Sequence, residues 1–315
     1  MISKRAQNGW RSSILKKQNK EILLTVFTPA FNRAHTLPRT YESLKRQDCK
    51  VFIWLIIDDG SSDQTRDLVD GWIKEEKDFE IRYIYKENGG MHSAHNVAYR
   101  NIDTVLNTCI DSDDEMVDGA VRKILDKWNE VKDQGYAGII ALDMVMNTGK
   151  VIGKGFPEGM KETTVSGYYE AGGKGDKKLI YRTDIINKYP EYPEYEGEKY
   201  LSLSYKYLLI DQDYKMAVLD EPVCNVEYQP GGSTNTMFKQ YLDNPKGWAF
   251  WRSIRMKYDK TFKRRIIDCI HYCSSAQIAH IKGYIKGSPY PFLTVLCTPA
   301  GHLLTSYIRK KASKS

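Results

Sequence analysis

Between Ile22 and Val145, short apolar runs rich in β-branched residues alternate with stretches of helical periodicity. That alternation confines the chain to a sheet whose strands are linked through helices. Ile22–Phe31 (ILLTVFTPAF) is the first run, and a helix-compatible stretch follows from about Thr36 to Gln47. Val51–Ile57 (VFIWLII) is too short for a typical helix and reads as a buried parallel strand. Asp58-Asp59-Gly60-Ser61-Ser62-Asp63 then turns the chain into a helix expected to carry Leu68, Val69, Trp72 and Ile73 on one face. Further strands are expected at Ile81–Tyr85, Thr104–Ile110 and Gly138–Val145. Helices are expected from about His92 to Asn101 and through Val121, Ile124, Leu125, Trp128 and Val131.

In open α/β sheets the loops at the carboxyl ends of the strands line one crevice. Three polar clusters fall at that edge. Asp111 and Asp113 stand one residue apart at the end of an apolar strand. Burying unpaired charge there is costly, whereas a hard divalent cation accepts such oxygen ligands beside a substrate's phosphates. The rival reading is an acidic turn capping the next helix, with Asp114 and Glu115 at its positive end. The Asp58–Asp59 cluster suits a base N–H or ribose hydroxyls, and is equally a common turn and cap signature. Thr28-Pro29-Ala30-Phe31-Asn32-Arg33 offers backbone to a nucleotide and a guanidinium to phosphate.

In their order and spacing, TPAFNR (28–33), IDDGSSDQT (57–65), KENGGMHSAHN (86–96) and DSDD (111–114) resemble the family 2 glycosyltransferases of the GT-A fold. The resemblance covers roughly residues 22–145 and continues more loosely through EGEK (196–199) and YQPGGSTNTMFKQYLDNPKG (228–247). This version of the pattern is similar to bacterial transferases that build capsules, exopolysaccharides and other surface glycans. It implies a GT-A, Rossmann-like open mixed sheet flanked by helices over residues 22–235, with a nucleotide-sugar half (22–145) and an acceptor half (146–235). A basic segment (1–21) precedes it and a helical C-terminal region (236–315) follows. The implied reaction is inverting transfer from a nucleotide diphosphate sugar, a UDP-sugar foremost, to a hydroxyl of a glycan or lipid-linked oligosaccharide, with Mn²⁺ or Mg²⁺.

Position by position, the resemblance puts Thr28, Pro29, Ala30, Phe31, Asn32 and Arg33 along the nucleotide. Asp59, or Asp58 beside it, contacts the base or ribose. Lys86, Gly90, His92 and Asn96 sit near the donor. Asp111 approaches the ribose and the metal with Ser112 beside it, and Asp113 ligates the metal. A carboxylate must also take the proton from the acceptor hydroxyl. The family usually carries it in a Glu-Asp or similar pair at a loop-to-helix junction. The matching place here reads Glu-Gly-Glu-Lys, so Glu198 is the first candidate and Glu196 the second.

The remainder of the chain bears on partners. The net charge is +7, which favours an anionic partner or surface. The first 20 residues are basic and lack the apolar core of a signal peptide, and no run reaches about 18 apolar residues. Six scattered cysteines read as reduced thiols of a cytoplasmic protein. Cys269, His271 and Cys273 are read as core residues rather than a zinc site, for want of a second cysteine pair. Residues 147–175 read as hairpins or mobile loops over the crevice.

Arg252–Arg265 holds seven basic residues and one acidic one, and an apolar stretch over 288–308 is followed by Arg309, Lys310 and Lys311. That region is either a peripheral contact with an anionic membrane or a solvated face beside an ordinary terminal helix. Two rival functions remain. A nucleotidyltransferase would carry a Gly-rich, basic phosphate loop after its first strand, where TPAFNR stands. A basic nucleic-acid- or membrane-binding protein would have no need of Asp111 and Asp113, so nucleic acid is not the expected partner.

Overall fold

The computed structural model describes residues 22–227 and 237–313. The basic segment 1–21, residues 228–236 of the YQPGG stretch and the last two residues lie outside the described residues. The first two apolar runs form β1 (Leu24–Ala30) and β2 (Phe52–Asp58), each with all seven residues buried. They are mostly apolar because both faces of the sheet are covered. Leu24, Val26, Trp54 and Ile56 enter one core, whereas Phe27, Leu55 and Ile57 enter the other, as the two-residue period of a strand requires.

The helix α1 (Leu37–Lys45) follows β1, and α2 (Thr65–Glu75) follows β2. Then come β3 (Glu80–Tyr85), α3 (Met91–Asn101), β4 (Leu106–Cys109), β5 (Glu115–Met116), α4 (Ala120–Val131) and β6 (Gly138–Val145). The sheet continues through β7 (Lys150–Val151), β8 (Glu162–Thr163), β9 (Lys177–Arg182) and β10 (Met216–Val226). Three helices interrupt these strands: α5 (Val165–Glu170), α6 (Thr183–Ile186) and α7 (Ser204–Ile210). The strand order is β3-β2-β1-β4-β9-β6-β10-β5, with β7 on β6 and β8 on β10. Strands β3, β2, β1 and β4 are mutually parallel. Beyond them β9 runs antiparallel to both β4 and β6, which makes the sheet mixed.

Two local expectations are corrected. Ile73 is 41% exposed, and α2 instead turns Thr65 and Val69 inward with Trp72 half-buried. Of the two readings of 147–175, the hairpin holds at its start, where β7 pairs antiparallel with β6, and the loose loop does not, since Ile152, Phe156 and Tyr168 are buried. The Tyr168 hydroxyl lies 2.7 Å and 3.0 Å from the carbonyls of Lys154 and Lys174 and ties the excursion to itself.

The C-terminal region is helical: α8 (Met237–Asp243), α9 (Pro245–Tyr258), α10 (Phe262–Ile278), α11 (Tyr284–Gly287) and α12 (Pro291–Ala312). Its basic stretch is not one continuous solvated face. Arg252 and Arg255 turn to the buried Asp268 carboxylate, at 2.6 Å and 3.2 Å. Cys269, Cys273 and Cys297 are buried where α10 meets α12. A Cβ on Gly301 would stand 2.5 Å from Cys273 Cβ, so only glycine lets these helices approach this closely. Among the described residues no helix is long and apolar enough to cross a membrane.

Candidate active site

Parallel register sets the site. Ala30 pairs with Asp58 across β1 and β2, and Phe27 with Cys109 across β1 and β4. The residues after each strand therefore emerge at one carboxyl edge, which brings Asn32–Arg33, Asp58–Asp59 and Asp111–Asp113 to a common rim.

At the β2 end the acidic pair is fully engaged by the protein. Asp58 is buried and accepts from the Ser61 N–H (2.7 Å) and the Tyr83 hydroxyl (2.5 Å). Asp59 is also buried and accepts from Lys86 Nζ (2.7 Å), the N–H groups of Gly89 (2.9 Å) and Gly90 (2.7 Å), and Asn88 Nδ2 (3.1 Å). Both carboxylates order the surrounding turns, and a contact from Asp59 or Asp58 to a base or ribose would be made on top of these bonds. Lys86 is likewise held by Asp59 and the Ser93 hydroxyl (2.8 Å).

The β1 end is divided. Thr28 and Ala30 are buried in the core, with the Thr28 hydroxyl accepting from Trp54 Nε1 (3.0 Å), and Pro29 is buried within the strand. The side chains of these three belong to the strand, so what they could offer a nucleotide at the rim is backbone. Asn32 sits at φ 54°, and its Oδ1 accepts from the N–H groups of Ser62 (2.8 Å) and Asp63 (3.3 Å), splicing the first loop to the second. Phe31 is exposed, and Arg33 lies close enough to Asp113 to favour its ionised form.

The β4 end differs. Asp111 is half-exposed, and the Cys109 thiol lies 3.7 Å from its Oδ1. Asp113 is pushed above the ordinary carboxylate range, first by burial and then by the Asp111 charge, with Arg33 and Arg39 opposing. Ser112 between them is buried. Asp114 turns inward to accept from the Glu227 N–H (3.1 Å). Burial, reinforced by Asp111 and Asp113, lifts Asp114 to about 7, against the pull of Lys178.

Behind this group the buried Asp143 carboxylate, 3.9 Å from Lys178 Nζ, is pushed up to about 6 by desolvation. Arg39, which the sequence reading passed over, donates to the Asp113 carbonyl and to Glu227 (2.7 Å) and fixes the turn. A divalent cation fits Asp111 and Asp113 by charge and donor type, since it relieves the repulsion that raises Asp113. Among the described residues no three His, Cys, Asp or Glu cluster as ligands, so two carboxylates would leave further positions to phosphate oxygens and water.

A third loop closes the rim. Asn96 is buried, and its side chain donates to the Tyr192 carbonyl (2.9 Å) and Glu194 (3.0 Å) and accepts from the Tyr192 N–H (2.9 Å). It therefore braces residues 192–194, of which Glu194 lines the neighbouring cavity. Gly90 has φ 89°, and a Cβ there would meet the Lys199 carbonyl at 2.0 Å, so the 194–199 loop crosses directly over it. Between the two loops lies an open cavity of about 230 Å³ lined by Asn88, Gly89 and residues 194–199.

Glu198 is not a free carboxylate: its two oxygens accept from the N–H groups of Lys246 (2.9 Å) and Gly247 (2.8 Å) in the first turn of α9. Glu196 is exposed and lines the cavity. His92 is buried, its Nδ1 has no partner among the described residues, and desolvation lowers its pKa against the opposing charges of Glu194 and Asp59.

A family model described as glycosyl transferase family 2 matches residues 25–189, just over half of the chain. The chain belongs to glycosyl transferase family 2. It is 35% identical over 107 residues to a teichoic acid poly(glycerol phosphate) polymerase of Staphylococcus epidermidis, covering 34% of this chain and 15% of that protein. It is 30% identical over 130 residues to the GalNAc(5)-diNAcBac-PP-undecaprenol beta-1,3-glucosyltransferase of Campylobacter jejuni, covering 41% and 40%. The match thus spans less than half the length of these curated relatives.

Among solved structures, S. aureus TarS 1-349 in complex with UDP-GlcNAc superposes with a TM-score of 0.58 at 15% identity over 92% of both chains. The mannosyltransferase PcManGT of Pyrobaculum calidifontis, in complex with GDP-Man and Mn²⁺, gives 0.53 at 16% identity over 98% and 90%. These likenesses fix the fold: the family 2 chain has the GT-A architecture, a mixed open sheet flanked by helices with a helical C-terminal region.

Proposed function

We propose that this family 2 chain is an inverting, metal-dependent glycosyltransferase. It moves a sugar from a nucleotide diphosphate sugar, a UDP-sugar, to a hydroxyl of a growing surface glycan or lipid-linked oligosaccharide. The observation that carries this reading is the contrast at the rim. Asp113 is raised by burial and by the nearby Asp111 charge, and among the described residues the Asp111 carboxylate is met by the Cys109 thiol at 3.7 Å, whereas Asp58 and Asp59 accept several shorter hydrogen bonds from the protein. The UDP-GlcNAc of the S. aureus neighbour and the undecaprenol-linked glycan named for the C. jejuni relative support the donor and acceptor classes.

Asp113, with Asp111, would hold Mn²⁺ or Mg²⁺, which when bound neutralises a departing diphosphate. Arg33 adds positive charge at the same rim. The acceptor oxygen attacks the anomeric carbon as the bond to the nucleoside diphosphate breaks on the opposite face. The acceptor's proton passes to a carboxylate. Glu196 takes that role in preference to Glu198, whose oxygens cap α9. The catalytic unit is residues 22–235, and the chain works at the cytoplasmic face of a membrane that carries the acceptor.

A screen of nucleotide sugars for slow donor hydrolysis tests the reading. Release of UDP from one UDP-sugar, abolished by excess EDTA and restored by Mn²⁺ or Mg²⁺, is expected. Undiminished release in EDTA would remove the metal. Pyrophosphate as the product would mark a nucleotidyltransferase. No release from any donor, with UDP binding also absent, would leave only the binding-protein reading.

A further inference from the structure

The outward face of α12 is apolar where a soluble surface helix is polar. Thr294, Cys297, Gly301, Thr305 and Ile308 face inward against the rest of the C-terminal helices. On the opposite face Phe292 (79% exposed), Leu296 (62%) and Leu303 (75%) stand in line, with Val295 and Tyr307 at the margins. The stripe runs from 292 to 307, about 24 Å at 1.5 Å per residue. Contacts between Cys269 and Thr294 and between Ser274 and Thr305 clamp the inner face to α10, so the outer face is held open to solvent.

Charge identifies the occupant. From Cys269 to Ser315 the chain carries no Asp or Glu. Exposed Lys282 and Lys286 precede the stripe, and exposed Arg309, Lys310 and Lys311 follow it. With cations at both ends, a second copy of the chain would meet like charge whether it packed parallel or antiparallel. The chain's own first 21 residues carry Lys4, Arg5, Arg11, Lys16, Lys17 and Lys20 against only Glu21, so they repel the same face. An apolar stripe between cationic ends matches the acyl boundary and headgroups of an anionic bilayer. Since no described helix is apolar enough to span, the mode is in-plane contact.

The geometry points to α12 as the surface by which this protein docks on an anionic membrane, apolar face down and basic ends at the headgroups. This deepens the reading of a membrane-borne acceptor and rests on it only for its purpose. The binding itself is measured without any sugar.

The test is co-sedimentation of the full chain with vesicles of equimolar phosphatidylglycerol and phosphatidylcholine, beside pure phosphatidylcholine. Binding to the anionic vesicles is expected, at least about tenfold stronger than to the neutral ones, and weakened by salt. The exposed pair Leu296→Asp and Leu303→Asp should lower it about tenfold or more while circular dichroism and UDP release in solution stay as in the parent. A second variant, Arg309→Gln with Lys310→Gln and Lys311→Gln, should cut anionic binding and leave the residual neutral binding alone. No sedimentation, equal sedimentation with both vesicles, or parent-like binding of both variants would overturn the assignment. So would a dimer in solution that the Leu296/Leu303 variant converts to monomer, since the face would then belong to a second copy. Loss of UDP release without loss of vesicle binding would instead strike the proposed transfer.

Discussion

Two acidic pairs follow parallel strands on either side of β1, and among the described residues only one of them is left with little bonding. At the end of β2, Asp58 and Asp59 take up six donors from the turns around them and from Tyr83 on β3. At the end of β4, Asp111 has a thiol at 3.7 Å, and Asp113 is held above the normal carboxylate range by burial and by Asp111. Saturated carboxylates build the scaffold, whereas unsatisfied ones store electrostatic cost that a cation relieves. The same contrast recurs in the third loop, where Glu198 caps α9 and exposed Glu196 lines the cavity.

The largest expected effect is at the under-bonded pair. Asp113→Asn should lower turnover about 10³-fold, read as UDP release, while leaving the melting temperature unchanged or raised. Unchanged turnover would erase the distinction between the two strand ends. The opposite signature is expected at the saturated pair. Asp59→Ala strands Lys86 and the Gly89 and Gly90 N–H groups and should cost about 3 kcal/mol in chemical denaturation. A melting curve matching the parent's would show that Asp59 is no brace.

Next comes the base. Glu196→Gln should reduce turnover about 10²-fold with donor affinity retained in calorimetry. If Glu198→Gln does this instead, the capping carboxylate is also the base.

A smaller effect separates Asp143. Its folded pKa of about 6 lies above the unfolded value of about 4, so the folded state holds the proton more tightly. Stability from this group is present below about pH 4 and is lost as pH rises through about 6, on the order of 2 kcal/mol. Asp143→Asn should flatten the stability profile between those values relative to the parent. An identical slope in both would refute the buried-carboxyl account. The smallest effect is at the cap: Glu198→Ala should cost about 1 kcal/mol of stability through the first turn of α9.

Much of the fold was legible because its determinants are local. VFIWLII can only be a strand covered on both sides, and the helix through Val121, Ile124, Leu125, Trp128 and Val131 buries that face as its spacing predicts. The alternation also placed Asp58, Asp59, Asp111 and Asp113 at one rim. Ile73 was misplaced because its helix meets the sheet along a narrower stripe than its apolar residues span.

The roles at the site were less legible. Asp58-Asp59 and Asp111-Ser112-Asp113 look alike as sequence, and so do Glu196 and Glu198. What separates them is the set of donors that arrive from elsewhere: Tyr83 on β3, Gly89 and Gly90 before α3, and Lys246 and Gly247 at α9. Asn96, expected near the donor, clasps Tyr192 across 96 positions, a bond that spacing along the chain could not show. By itself the sequence determined the strands of the first half, the rim and the family pattern, since periodicity and strand-end position are properties of neighbouring residues, whereas β9 and β10 appeared only in the folded sheet. Only the tertiary structure decided which carboxylates are satisfied, because a hydrogen bond's second partner lies wherever the folded chain brings it.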